Sequence, residues 1–428
     1  MTIGKVHIIG AGLAGLSAAV ELASSGVAVV LHESAKHAGG RCRSYFDQKL
    51  QMEIDNGNHL LLSSNAHALR YLDCIGAADR VRRLPDANFP FVDLQDDSHW
   101  NIAPSASPLP MWLFSPSRRA PNAHFRDCLD LLRLLWAAGD QPIQNVMSCK
   151  GPFYRKLIRP FLLAALNTEP AEASSELARQ TMRDTLMKGA KACTPIVAQE
   201  GLSRAFIDPA LTFIEKRQSI FHFETRLRDI QISQDKATAL RFEGHTIPLA
   251  TSDIVILAVP AQIAAGLAPG ITTPDAFNAI VNIHFAIQPP TDLAPITGIV
   301  GAMSEWLFAY PGRLAVTISA ANHFLETPVG ILAAETWREV ATIAGINNPL
   351  PSWRVLRERR AAFAATPEQN GKRPVARTTI SNIILAGDWT ATGLPATIEG
   401  AIKSGVTAAR EAQALSHEGM MEALADNA

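Results

Sequence analysis

Charge is scarce in this chain. Of 428 residues only 18% are Asp, Glu, Lys or Arg, against 47% apolar, while soluble domains carry about a quarter charged. The formal net charge is −1, so nothing electrostatic favours nucleic acid as a partner. Cysteine is scarce as well. Cys42, Cys74, Cys128, Cys149 and Cys193 are scattered, odd in number and form no Cys-x-x-Cys pair. That argues against a disulfide framework or a zinc knuckle and fits a reducing cytoplasm. No clean apolar run reaches the roughly 18 residues needed to span a bilayer. The first expected strand starts so early that no secretory leader is expected before it. What remains is an apolar-rich chain, long enough for two or more domains around a large core. Such a composition suits a greasy substrate channel or a patch facing a membrane.

The densest information lies in the first 44 residues. Lys5 to Ile9 (KVHII) reads as a short buried strand, and Gly10-Ala11-Gly12-Leu13-Ala14-Gly15 follows at once. Helical spacing runs from Leu16 to Ser25. A second apolar run, Val27 to Leu31, ends at His32-Glu33. Strand, glycine turn, helix, strand and acid together make the full dinucleotide-binding context, which a bare G-x-G-x-x-G does not. Gly10 permits a tight turn, Gly12 a close approach to a pyrophosphate, and Gly15 close packing of helix on sheet. The helix start at Leu13 and Ala14 offers unpaired amides to phosphate. Glu33 is placed to accept hydrogen bonds from a ribose.

Two further stretches select the cofactor. Gly39-Gly40-Arg41 brings a second glycine pair and a cation to the same pyrophosphate. Near the other end, Asn382 to Asp388 (NIILAGD) is a strand running into Gly387-Asp388. Flavoproteins of the amine oxidase and carotenoid desaturase type share all three elements, and the chain resembles them. The resemblance implies FAD rather than NAD. It implies an α/β fold: a Rossmann-like FAD-binding domain with an inserted α+β substrate-binding domain. The expected division is 1–80, 201–265 and 376–428 for the cofactor part, with 81–200 a helical substrate insertion and 266–375 a substrate-side sheet. Thr225 and Val259 are candidate contacts on the adenine side.

Narrower motifs refine the resemblance. Asp55-Asn56-Gly57-Asn58-His59, the aliphatic helix into Asn167-Thr168, and Gly387-Asp388-Trp389-Thr390-Ala391-Thr392-Gly393-Leu394-Pro395-Ala396-Thr397-Ile398-Glu399-Gly400 are similar to the squalene-associated FAD desaturases, now understood as hydroxysqualene dehydroxylases. By that family's chemistry, reduced FAD and hydroxysqualene give squalene, water and oxidised FAD. An acid assists loss of the allylic hydroxyl, and hydride quenches the delocalised cation. Implied cofactor contacts include Asn56 and Gly57 on the turn facing the flavin. Pro395, Ala396 and Thr397 lie at a helix start whose amides face the electron-rich edge of reduced flavin. No cysteine adjoins that segment, so FAD is expected to be noncovalent. The acid is not named by the sequence. His59, Glu169, Asp388 and Glu399 are the candidates, with cofactor and helix-cap duties the competing roles of Asp388 and Glu399. His59 either acts in the active site or holds its own turn by hydrogen bonding. A carotenoid desaturase or amine oxidase of the same fold is the alternative. The implied partners are a hydrophobic C30 isoprenoid and an unidentified electron donor. Location at the inner face of the cytoplasmic membrane would give access to lipid. Trp112-Leu113-Phe114 and the helix Leu157 to Leu166 are either membrane contacts or core.

The remaining expectations are structural. A helix is expected from His67 to Ile75 and another from Phe125 to Ala138. Glu169 to Ala178 reads as helical after Pro170, and Asp208-Pro209 as a cap and first helical position. Hairpins are expected around Gln234-Asp235-Lys236 and between Trp306–Tyr310 and Arg313–Ala320. Arg354, Arg357, Arg359, Arg360, Lys372 and Arg373 read as solvated surface. The last helix is expected from Ile398 to about Leu415, followed by a frayed tail.

Overall fold

The computed structural model describes residues 4–106, 115, 121–122 and 127–425. Four short runs, Val6–Ile9, Val29–His32, Ile254–Leu257 and Ile383–Leu385, apolar but for His7 and His32, have every residue buried. Strands buried on both faces belong in a parallel sheet with helices covering it, and these form one. Its order is Ile220–His222, Val29–His32, Val6–Ile9, Ile254–Leu257, Ile383–Leu385, with every neighbouring pair parallel. The helices Leu13–Ser24 and Ile398–Ala425 pack against each other beside it. Small residues permit the crossing: a Cβ on Gly405 would stand 2.2 Å from the Ala14 carbonyl oxygen. Ser17 Oγ donates to the Ile402 carbonyl at 2.9 Å across the same crossing.

The second sheet is mixed and has seven strands. Its order is Trp353–Phe363, Phe277–Phe285, Arg313–Ile318, Trp306–Tyr310, Ile296–Val300, Phe89–Asp93, Ser98–Ile102. All its pairings are antiparallel except that of Ile296–Val300 with Phe89–Asp93. Strand side chains alternate between faces, and here the alternation sorts structure from site. Val281, Ile283, Leu307, Val316 and Ile318 share a core with Leu332, Trp337 and Val340 of the helix Val329–Ala344. Ile280, Asn282, Trp306, Phe308 and Thr317 point the other way and line a cavity. That cavity is roofed by the helix Arg159–Leu166, reached through a π-helical turn, Tyr154–Ile158. A left-handed Asn167 (φ 48°) ends the helix.

Several expectations need correction. Glu169 to Ala178 is not one helix. Pro170 and the next residues turn, and the helix Ser175–Asp184 starts afresh, with Ser174 Oγ accepting from the Leu177 amide. Asp208 does not cap: a π-helical turn, Ser203–Ile207, runs directly into Asp208–Glu215. The last helix continues to Ala425, because Met, Glu, Ala and Leu propagate a helix that tertiary packing has already nucleated. The four arginines from Arg354 to Arg360 lie in a strand, Trp353–Phe363. Arg354 pairs with Asp47 at 2.5 Å. The helix Leu157 to Leu166 is no surface contact, since Leu157, Leu162, Leu163 and Leu166 are all buried. Trp112-Leu113-Phe114 lies outside the described residues. Both hairpins form as expected, the first with Gln234 and Asp235 at φ 51° and 54°, as a two-residue primed turn requires. The helix near residue 67 spans Ala66–Cys74, and that near residue 130 spans Asp127–Trp136. Among the described residues no helix is long and apolar enough to cross a membrane.

Candidate active site

Two glycine turns meet where the parallel sheet ends. A Cβ at Gly10 (φ 106°) would stand 2.5 Å from the Ala258 carbonyl oxygen, and one at Gly15 would stand 2.0 Å from that of Gly10. Both glycines are thus demanded by the fold itself. Gly12 differs. A Cβ there would meet nothing within 4 Å and would project into the cavity that Gly12 lines. Its lack of a side chain leaves a cradle open to a ligand. The helix Leu13–Ser24 has no side-chain cap, so the first-turn amides of Leu13 and Ala14 remain available. Gly39, at φ 110°, donates its amide to the Ala11 carbonyl at 2.8 Å, and this brings Gly40 beside Gly12. Glu33 accepts from the Ala11 and Ala35 amides, each at 2.8 Å. The acid therefore shapes the turn as well as facing the cavity.

The last cofactor-like segment closes the other side. Arg41 and Asp388 form an ion pair at 2.7 Å, and the nearby Asp388 charge raises the guanidinium above its ordinary range. The Gly387 amide donates to Ser404 Oγ at 2.9 Å, and Trp389 Nε1 to the Val259 carbonyl at 2.9 Å. Pro395, Ala396 and Thr397 line the cavity, and the Gly400 amide bonds Thr397 Oγ1 at 3.1 Å. Arg373, expected as solvated surface, is 8% exposed. It donates to the Asp388 and Leu394 carbonyls and to Thr392 Oγ1 at 2.8–3.2 Å, bracing this loop. Burial lowers its pKa to about 10. Nothing in the local sequence marks it, because its carbonyl partners are shared by every residue type. Arg359 and Arg360 also depart from a purely solvated role, since both line the cavity rim.

The Asp55 to His59 turn faces the same space. Asp55 accepts from Ser44 Oγ at 2.6 Å and the Leu202 amide at 2.8 Å, so it is structural. Asn58 Nδ2 donates to Thr317 Oγ1 at 3.1 Å and Asn282 Oδ1 at 3.3 Å. Asn282 Nδ2 reaches the Asn56 carbonyl at 3.4 Å. These asparagines hold the turn; among the described residues His59 makes no hydrogen bond, which removes its reading as the turn's clamp. His59 and Gly57 line the cavity. Burial lowers the His59 pKa, with nearby Asp55 opposing, which favours the uncharged imidazole.

The two candidate glutamates lie elsewhere in role. Glu169 is paired with Arg159 through two bonds of 3.0 and 2.9 Å, is 41% exposed, and does not line the cavity. Glu399 lines it but is occupied, accepting from the His67 and Ala68 amides at 3.0 and 2.8 Å and contacting His67 Nδ1 at 2.9 Å. It caps the helix Ala66–Cys74. Val259 and Thr225 line the cavity on the glycine-turn side. Away from the turns the walls become apolar, with Phe89, Phe91, Leu157, Phe161, Phe277 and Phe308. The whole space is about 1690 Å³.

Residues 13–413 match the profile of the flavin containing amine oxidoreductases. A hydroxysqualene dehydroxylase of Sinorhizobium fredii is 46% identical over 405 residues, covering 95% of this chain and 97% of that protein. One from Rhodopseudomonas palustris is also 46% identical, over 94% of this chain and 97% of its own length. The chain belongs to the flavin containing amine oxidoreductases, in the hydroxysqualene dehydroxylase clade. Among solved structures, cyclohexylamine oxidase from Brevibacterium oxydans shares the fold. Its TM-score is 0.69 at 14% identity, over 97% of this chain and 99% of that one. As a member of this family the chain is an FAD-dependent oxidoreductase. The open cradle at Gly12 and the uncapped helix start are what a dinucleotide needs, so the residues present fit FAD.

Proposed function

We propose that this chain reduces hydroxysqualene to squalene and water as a hydroxysqualene dehydroxylase. The observation carrying the reading is the continuity of the cavity, in which a glycine cradle opens into an apolar arm. Its volume of about 1690 Å³ exceeds the roughly 300–1,000 Å³ of an ordinary small-molecule pocket, which leaves room for a dinucleotide beside a C30 chain. Likeness to dehydroxylases along nearly the whole chain supports the same chemistry.

Gly12 and the Gly10 turn, with the amides of Leu13 and Ala14, would hold the pyrophosphate of FAD, while Gly15 keeps the helix close to the sheet. Glu33 takes the ribose with its remaining lone pairs, and Val259 flanks the adenine side. Gly39, Gly40 and Arg41 close over the phosphates, and Asp388 with Gly387 sets Arg41 in place. Asn56, Gly57, Pro395, Ala396 and Thr397, which line the cavity, would hold the ring, the last three with a helix start suited to the electron-rich edge of a reduced flavin. Reduced FAD, when bound, supplies the hydride. The cofactor is held noncovalently: the two cysteines lining the cavity among the described residues, Cys42 and Cys193, are buried, and burial pushes both thiols up, away from the thiolate that a thioether would need. His59, its uncharged form favoured by burial and without a protein partner, positions the substrate hydroxyl. The aromatic walls exclude water and shield the allylic cation. Glu169 and Glu399 serve the fold, since their oxygens are taken by Arg159 and by a helix start.

Each turnover consumes two electrons, so an electron donor must restore reduced FAD. The substrate is insoluble, so the protein collects it as a peripheral partner of the cytoplasmic membrane. Trp136 and Leu129, 73% and 49% exposed on one helix, are the described side chains best placed for that contact. The deciding experiment is anaerobic. Holoenzyme is reduced chemically, hydroxysqualene is added, and flavin reoxidation is followed together with squalene. Reoxidation with stoichiometric squalene is expected. Absence of squalene, with desaturated product from phytoene or oxidation of an amine instead, overturns the reading.

A further inference from the structure

Loss of the hydroxyl as water needs a proton, and the cavity groups described so far do not carry one. Burial favours the uncharged form of His59, Glu399 is occupied, and Glu169 lies off the cavity, paired with Arg159. Glu305 stands one residue before the cavity-lining Trp306, at the start of the strand Trp306–Tyr310. Its backbone is fixed: the amide donates to the Thr317 carbonyl at 3.1 Å and the carbonyl accepts from Ile299 at 2.8 Å. Its carboxyl Oε2 accepts from the Ser319 amide at 2.8 Å, which sets the carboxyl beside the Ser319 residue. Ser319 lines the cavity. The charges of the Arg159–Glu169 pair also act on Glu305. Both members of that pair are about two-fifths exposed.

We propose that Glu305 is the proton source of the dehydroxylation, passing its proton through the Ser319 hydroxyl to the substrate hydroxyl. The proposal rests on the dehydroxylase reading. Ser319 gives its proton to the leaving oxygen and takes one from Glu305. The C–O bond breaks with its electron pair on oxygen, and water departs. The new C–H bond forms with hydride from reduced FAD, which becomes oxidised. The Glu305 carboxylate then regains a proton from water on the Arg159–Glu169 side. One proton and one hydride enter for each hydroxyl lost. Burial pushes the Glu305 carboxyl up to about 7, with the Ser319 bonds and Arg159 opposing and Glu169 assisting. A carboxyl so placed is protonated on the acid side of neutrality, as a general acid there must be.

The test uses pre-reduced holoenzyme in single turnover with hydroxysqualene, on both sides of neutral pH. The parent rate is expected to be level in acid and to fall about tenfold per pH unit above about 7. Glu305→Gln should retain FAD, lose that break, and turn over about 10²–10⁴-fold more slowly. Glu305→Asp should restore part of the rate with the break displaced. A Glu305→Gln enzyme with the parental rate and break overturns the proposal. Should that variant fail to fold, Glu305→Asp decides: a displaced break supports the route and an undisplaced one overturns it. Infrared spectroscopy of the holoenzyme gives a readout separate from turnover. A protonated-carboxyl band should vanish as pH rises through about 7 and be absent in Glu305→Gln. If the parent forms no squalene, the dehydroxylase reading fails whatever the band does. A parent that forms squalene but lacks the band overturns only the role of Glu305.

Discussion

The two sheets place polar groups differently. In the parallel sheet the four inner and flanking runs from Val6 to Leu385 are buried throughout, with His7 and His32 their only polar members, and chemistry is left mainly to the turns at their ends. In the mixed sheet polar groups stand within or just beyond the strands. Asn282 and Thr317 occupy alternate positions whose neighbours Val281, Ile283, Val316 and Ile318 feed a core. The parallel sheet thus makes a site from backbone, and the mixed sheet makes one from side chains. Substitution should expose the difference: glycine changes are decisive at the first, side-chain changes at the second.

The largest effect is expected at Gly15. Its Cβ would press on a backbone oxygen at 2.0 Å, which cannot swing aside as a side chain can. Gly15→Val should yield protein without flavin, measured as the flavin-to-protein absorbance ratio. A normal ratio would mean that the turn is more pliant than its contacts imply. Next is Arg373→Met. It strips four acceptors of a buried donor, at a cost of about 1–3 kcal/mol for each group left unsatisfied. Calorimetry should show a lowered Tm and flavin released at lower temperature, whereas an unmoved Tm would show that water replaces the guanidinium. Glu33→Ala removes two bonds to backbone amides and should raise the Kd for FAD about 10- to 100-fold, as expected for bonds to a charged group. Squalene should remain the product, and a changed product would place Glu33 in the chemistry.

This contrast governs how far the sequence can be read. Gly10, Gly12, Gly15 and Glu33 were legible because their constraint is local: spacing along a turn dictates a shape before any tertiary contact forms. Gly387 and Asp388 were legible for the same reason. Asn58, Asn282 and Ser319 were not, because their partners come from separate strands and only pairing register brings them together. Arg373 reads as surface in the sequence because a loop cation gives no sign of the two carbonyls, the hydroxyl and the amide oxygen that fold around it. Glu399 was recognised as a candidate for two duties, and only the position of the helix Ala66–Cys74 selects between them.

Two smaller effects test the substrate side. His59→Gln should slow single turnover by no more than about tenfold, the worth of one neutral hydrogen bond, with affinity for hydroxysqualene falling alongside. A loss on the order of 10³-fold would restore His59 as the acid. The mildest change is Trp136→Ser, on an exposed face. It should reduce flotation with anionic liposomes and leave single turnover on detergent-dispersed substrate untouched. Equal flotation of parent and variant would move the membrane contact elsewhere.

The Arg41–Asp388 pair joins residues 347 apart in sequence. Every strand beside the glycine cradle comes from a different stretch of chain, the last being Ile383–Leu385. The cofactor cavity therefore cannot close on the ribosome until nearly four hundred residues have emerged. Long-range pairing of this kind is slow, and until it is complete the aromatic walls stand open to water and to one another. For this chain, synthesis is a period of exposed hydrophobic surface, when self-association competes with folding. A ligand that binds the closed form in preference to the open one draws the population towards it, so FAD added during refolding should raise the yield of closed protein.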